Sequence, residues 1–245
     1  MNKHGVSLAR ALSKLGYCSR TQATTLIAEG VVSVDGKLCL DPDHRLDLAH
    51  ARISVRGKAL AKPEHVYIML NKPRGLVTSR ADEKDRDTVY RCFEGTTLPH
   101  IGPVGRLDKA SEGLLLFTND TQWANAMTSP ASNLDKVYHV QIGTVIDEAL
   151  LKQMRKGILA NGGETLAVKQ AQVLRQGEKN GWLEIVLDEG KNRQIRRIFE
   201  AMDIEVQRLV RVATGSLRLG DLAKGKWRYL NAEEIAGFRN TDSSD

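Results

Sequence analysis

The stretch from Gly102 to Asp120, GPVGRLDKASEGLLLFTND, sets a loop carrying Arg106 and Asp108 immediately before an apolar run, Gly113–Phe117. A short, continuous apolar run bounded by polar and turn residues reads as a buried strand. The segment after it, Thr121–Met127, reads as a helix. Working outward, strands are expected at Val66–Leu70, Val137–Ile142, Ala167–Leu174 and Trp182–Leu187, with shorter ones at Val206–Val212 and Leu217–Leu219. Helices are expected at Asp147–Lys156 and Asn192–Ala201. Strands outnumber helices and often follow one another directly. That order predicts an α+β fold with a mixed, mainly antiparallel sheet rather than repeated βαβ units.

Upstream the pattern changes. Leu8, Leu12 and Leu15 share one face of a helix ending near Gly16, and Ser19 is placed to cap a second helix running to about Ala28. Gly30 suits a left-handed cap, Val31–Val34 and Lys37–Leu40 read as strands, and Asp35-Gly36 between them is a hairpin turn. Arg52–Arg56 reads as one more strand, followed by a short hinge at Gly57–Glu64. The first 60 residues carry 9 Lys/Arg against 5 Asp/Glu, whereas the other 185 carry 27 against 25. A small basic module at 1–60 and a larger, nearly neutral one at 61–239 is the simplest division, with a polar tail at Asn240–Asp245.

Composition excludes several classes. With 41% hydrophobic and 27% charged residues among 245, the chain is an ordinary globular protein, neither collagen-like nor disordered. No uniformly apolar stretch, Leu114–Phe117 among them, approaches the ~20 residues that span a membrane, and the N-terminus lacks a signal-peptide pattern, so no membrane association is expected. Cys18, Cys39 and Cys92 have neither disulfide-framework nor CxxC spacing, which points to a reducing compartment. His and Cys are scattered and no nucleotide-binding glycine fingerprint occurs, so neither metal nor organic cofactor is expected. The net charge of +6 favours a polyanionic partner.

Taken alone, Asp108 at the mouth of a core strand has the fixed position and restricted solvent access that a catalytic carboxylate requires. The same residues also suit a plain turn in which Arg106 and Asp108 form an ion pair.

Two resemblances bear on that choice. LGYCSRTQATTLIAEGVVSVDGK at 15–37 resembles the S4 RNA-binding domain, which implies that Arg10, Lys14, Arg20 and Lys37 face structured RNA; locally they read equally as solvated charges. GRLDKASEGLLLFTND resembles the catalytic motif of the RNA pseudouridine synthases, in the branch that modifies ribosomal RNA and often carries an N-terminal S4 domain. NKPRGLVTS at 71–79, KVYHVQI at 136–142, EGKNRQIRRIFEAM at 189–202 and LVRVATGSLRLGDLAKGKWRYL at 209–230 follow in the family order. The implied architecture is a small S4-like domain joined to a mixed, mainly antiparallel pseudouridine synthase catalytic domain.

The resemblance implies isomerisation of uridine to pseudouridine, in which the N1–C1′ bond breaks, the base turns and C5 bonds to C1′. It assigns the nucleophile to Asp108, a stacking and possible acid–base role to Tyr138, and the cation paired with the acid to Arg196. Arg106 is expected beside the flipped nucleotide, Ile195 and Leu209 along the uracil pocket, and Lys191 and Arg193 on phosphates. Asn71, Lys72 and Arg74 are expected to set a loop against RNA, although Lys72 reads as well as a turn charge. Tyr138 is locally also a core aromatic, and Arg197 a solvated charge. Asp120 is better read as a helix cap than as a second acid. The segment 81–100, with Lys84, Arg86 and Arg91, reads either as a recognition loop or as a packing segment.

The expected partner is structured ribosomal RNA or a partly assembled ribosomal particle, with no obligatory protein partner and a cytoplasmic setting. A noncatalytic RNA-binding protein of ribosome assembly is the competing reading. It needs no Asp108–Tyr138–Arg196 constellation and is favoured if Asp108 is occluded. A nucleoside hydrolase leaves the small module unused and lacks a second positioned acid for water.

Overall fold

The computed structural model describes residues 5–48, 50–61, 64–79, 86–129 and 132–238. Lys84 and the polar tail at 240–245 lie outside the described residues. The chain forms two compact units, one running to Tyr67 and taking in Gly95–Gly102 and Thr118–Gln122, the other comprising the rest.

The first unit contains β1 (Val6–Ser7), α1 (Leu8–Lys14), α2 (Arg20–Ala28), β2 (Val32–Val34), β3 (Lys37–Leu38), β4 (Arg45–Leu46), β5 (Ile53–Val55) and β6 (Lys58–Ala59). Leu8, Leu12, Ala23 and Ile27 are fully buried between the helices and a small sheet ordered β3-β2-β5-β6. Ser19 and Gln22 form a reciprocal capping box: Gln22 N donates to Ser19 Oγ at 3.2 Å, and Ser19 N to Gln22 Oε1 at 3.0 Å. Asp35 and Gly36 both have positive φ, the conformation a two-residue hairpin turn needs. The expected hinge at Gly57–Glu64 is not wholly a linker. Lys58 and Ala59 return as β6 against β5, because Gly57 closes a second tight turn at φ 75°.

The second unit is built on a nine-stranded sheet. Its elements are β7 (Tyr67–Lys72), a 3₁₀ turn (Val89–Phe93), β8 (Gly102–Val104), β9 (Glu112–Thr118), α3 (Thr121–Thr128), β10 (Lys136–Ile142), α4 (Glu148–Lys156), β11 (Ile158–Leu159), β12 (Thr165–Leu166), β13 (Gln170–Gln176), β14 (Gly181–Leu187), α5 (Gln194–Glu200), β15 (Val206–Thr214), β16 (Leu217–Arg218), β17 (Trp227–Tyr229) and α6 (Ala232–Ala236). The strands run β13-β14-β10-β15-β9-β7-β17, with β8 and β16 paired at the side. Every residue of β9 is buried, as a strand inside a sheet covered on both faces should be. Val140, Leu183, Ile185, Ile198 and Phe199 form the centre of the core beneath α4 and α5.

Among strand pairs with described registers, β9–β15 alone is parallel, through Val210↔Glu112 and Arg211↔Gly113. The backbones meet closely there. Gly113 has φ 100°, and a Cβ on it would lie 2.2 Å from the Arg211 carbonyl oxygen. In the segment 81–100, the 3₁₀ turn packs inward through Val89 and Phe93, which are buried, and Phe93 meets Phe117 edge-on at 4.9 Å. Arg91 is exposed and paired with Asp87.

Candidate active site

The loop between β8 and β9 is held from beneath. Lys72 ends β7, and its side chain is fully buried. Its Nζ donates to the carbonyls of Pro73 at 3.1 Å, Asp108 at 3.1 Å and Ser111 at 2.8 Å, using all three protons. Burial pushes its pKa down to about 8, against the opposing charges of Asp108 and Glu112. Thr78 Oγ1 donates to Leu107 O at 2.6 Å, and Gly75 N to Lys109 O at 2.8 Å. The backbone of the Asp108 turn is therefore tied on both sides, while the Asp108 side chain stays 24% exposed.

That side chain opens into a cavity of about 810 Å³, within the range of ligand sites. Tyr138 from β10, Ile195 from α5 and Leu209 from β15 supply its aromatic and apolar wall, and Arg106 lies at its exposed edge. Lys136, two residues before Tyr138, and Arg211, opposite Tyr138 in register, line it as well.

Two arginines reach the turn by different routes. Arg193 precedes α5 in a left-handed conformation (φ 49°, ψ 31°), and its Nη1 stands 3.6 Å from Asp108 Oδ2. Arg196, on the first turn of α5, donates through Nη2 to Ala110 O at 3.1 Å and through Nη1 to Val206 O at 3.4 Å. Its Nε is buried, with no hydrogen-bond partner among the described residues. Burial and the neighbouring Arg193 lower the Arg196 guanidinium, and the Asp108 charge opposes them.

The family profile for RNA pseudouridylate synthase matches residues 66–201, and that for the S4 domain matches residues 6–53. An RNA pseudouridine synthase of Rickettsia prowazekii is 38% identical over 226 residues, covering 91% of this chain and 94% of the relative. The ribosomal large subunit pseudouridine synthase B of Bacillus subtilis is 34% identical over 233 residues, covering 95% of each. A crystal structure of a pseudouridylate synthase aligns over 95% of this chain and 99% of its own at a TM-score of 0.65 and 28% identity. The chain belongs to the RNA pseudouridylate synthase family. It carries the S4 domain of the branch inferred from sequence, on an α+β fold with a mainly antiparallel sheet.

Within this family frame several expected placements change. Lys72, expected to set a loop against RNA, is buried as an internal brace under the Asp108 turn. Asn71 likewise turns inward, its Nδ2 donating to Leu222 O at 2.6 Å. Arg74 is exposed, with Nη1 3.3 Å from Gln207 O. The ion pair on Asp108 comes from Arg193 rather than Arg196, because the left-handed Arg193 sits outside the helix and swings towards the acid. Lys191, expected on phosphates, pairs with Glu189 at 3.0 Å and Glu164 at 3.5 Å. Arg197 also takes Glu164, at 2.9 Å.

Asp120 caps α3 as expected, its Oδ1 accepting from Gln122 N at 3.0 Å. Arg10, Arg20 and Lys37 are exposed on the first unit and Lys14 is half-buried. Among the described residues no ion pair occupies any of the four. Sequence reasoning missed Lys136 and Arg211. The signal for Lys136 was present, since residues two apart on a strand share a face with Tyr138.

Proposed function

We propose that the protein converts a specific uridine of structured ribosomal RNA to pseudouridine, with Asp108 as nucleophile and the target base flipped out of its stack. The observation that carries this reading is the shared cavity: Asp108, held by its backbone but open at its carboxylate, faces the same space as Tyr138, Ile195 and Leu209. A noncatalytic binding protein has no need to fix an acid in this way and leave it open. Extruding a nucleotide costs a few kcal/mol, least in loops and bulges, and a preformed pocket recovers it by stacking. Tyr138 offers the aromatic face, and its hydroxyl is suited to help remove the C5 proton after rebonding.

Arg193 pairs with the acid, and Arg196 fixes the Ala110 carbonyl two residues beyond it. Together they hold the acid and its turn in place for attack on C1′. The exposed Arg106 and Arg74 are suited to contact the RNA backbone beside the pocket. The cations of the first unit add a second, sequence-tolerant contact, as expected where recognition rests on RNA shape. The setting that fits this substrate is the cytoplasm.

The test is single-nucleotide mapping of pseudouridine in unmodified small- and large-subunit ribosomal RNA, free and partly assembled. Each RNA is incubated with the protein and with Asp108→Asn. A site formed by the wild type alone, with RNA binding retained by the variant, is the expected result. Equal product from Asp108→Asn removes the nucleophile assignment. Tight binding with no product on any of these substrates favours the noncatalytic reading.

A further inference from the structure

Lys136 and Arg211 are two cations on the floor of the Asp108 cavity, and nothing in the reading above uses them. They flank Tyr138: Lys136 on the same face of β10, Arg211 directly across from it on β15. Arg211 is 8% exposed and anchored by its Nε, which donates to Leu114 O at 2.7 Å. Lys136 is half-buried. Among the described residues neither makes an ion pair. Asp135, next in sequence, is held by Lys169 at 2.8 Å, and Asp188 is exposed. Burial first, and then the Arg211 charge, lower the Lys136 pKa, with Asp135 and Asp188 opposing. Two like charges kept together away from water are unfavourable unless something negative comes to lie between them.

We propose that Lys136 and Arg211 bind the carbonyl oxygens of the flipped uracil and stabilise the negative charge the ring carries once its bond to C1′ breaks. This inference rests on the proposed reaction at Asp108. Heterolysis of N1–C1′ leaves the bonding pair on uracil, shared over N1, O2 and O4. C1′ is then satisfied by the Asp108 carboxylate or by loss of the C2′ proton, and in the second case that proton returns to C2′ as the new bond forms. When C5 bonds to C1′ the ring's pair is used in that bond, any Asp108–C1′ bond breaks and returns its pair to the carboxylate, C5 gives up its proton, and N1 gains one. The ring is neutral at the start and end and anionic only between, so fixed cations here act on the step rather than on binding. A phosphodiester does not suit the same position, because Arg211 lies too deep for a backbone group, whereas Arg106 and Arg74 stand outside.

The experiment uses full-length protein and a transcript of the ribosomal RNA it modifies, comparing wild type with Lys136→Met and Lys136→Arg. Single-turnover rate, RNA Kd at several salt concentrations, and Tm are measured for each. Lys136→Met is expected to slow the rate by about 10²–10³-fold, the usual loss for one preorganised donor. Its Kd and salt slope should match wild type, and its Tm should be no lower. Lys136→Arg should recover most of the rate. Unchanged turnover in Lys136→Met overturns the inference. So does a weaker Kd with a salt slope reduced by about one and an intact rate at saturating RNA, which marks a phosphate contact. A Tm loss that accounts for the lost rate also overturns it, in favour of a structural role. Wild-type activity and Asp108→Asn inactivity in the same assay separate failure of this inference from failure of the reading beneath it.

Discussion

The cations of the small unit and those around Asp108 are the same residue types held under opposite conditions. Arg10, Arg20 and Lys37 stand in solvent with no acidic partner among the described residues. Lys72 is fully buried and saturated by three carbonyls, and Arg196 reaches two more from a half-buried position. A solvated cation can move to meet a phosphate and is screened by salt; a buried one cannot move, and its worth lies in fixing its neighbours. Positive charge therefore has two uses here. Outside it is available to a polyanion, and inside it sets the shape of the acid turn.

The strongest way to break this contrast is to remove an inner cation and look for an effect on RNA affinity. Arg196→Gln is expected to lower the single-turnover rate by about 10²-fold, the scale of a misplacement near 1 Å, with Kd unchanged. Arg193→Gln, which loses only a 3.6 Å pair from a half-exposed side chain, should cost far less, about fivefold at most. If the order is reversed, the direct pair matters more than the backbone brace.

The outer cations should behave in the complementary way. Arg20→Ala with Lys37→Ala is expected to weaken RNA binding by roughly 10-fold at moderate salt and to reduce the salt slope by about one per lost phosphate contact. The rate at saturating RNA should not change. A salt titration of Kd beside single-turnover kinetics checks both.

Lys72 gives a pH test in which activity and stability move apart. Its folded pKa, about 8, lies below its ordinary 10.5. Between those values the unfolded chain holds more protons, so its contribution to stability rises with pH across that window. Over the same rise the side chain goes from three donors to two for three carbonyls, so the turn loosens and the rate should fall several-fold above about pH 8. Urea unfolding and rate profiles from pH 7 to 10 measure the two together, and a parallel fall in both would contradict the assignment. The smallest effect is local to the first unit: Ser19→Ala removes the capping box and should cost about 1 kcal/mol of stability with catalysis unaffected.

Legibility in the sequence followed the range of the interactions. The apolar run of β9, the Ser19 cap and the Asp35-Gly36 turn are specified by residues within a few positions of one another, and each was readable. The cavity-lining Tyr138, Ile195 and Leu209 were also readable, because family motifs carry them. Lys72 was not. Two of its three acceptors, Asp108 and Ser111, lie 36 and 39 residues away, and nothing in NKPRG distinguishes a buried lysine from a turn charge. The pairing of Asp108 with Arg193 rather than Arg196 had a different cause. The helix expected at Asn192–Ala201 takes in both residues, but Arg193 takes a left-handed conformation before the helix begins. The parallel contact of β9 with β15 joins segments about a hundred residues apart, and neither strand's pattern names its neighbour.

That contact has a consequence for how variation can accumulate in this chain. At Gly113 the strand leaving the acid turn crosses against the strand that carries Arg211, with no room for even a methyl group. The spacing between the two sides of the pocket is thus set by a missing side chain, as a mortise is set by the wood cut away. In a saturation library, position 113 should tolerate no replacement, although it contacts no substrate. Its neighbours Leu114 and Leu115, buried but bounded by side chains that can repack, should accept other aliphatic residues.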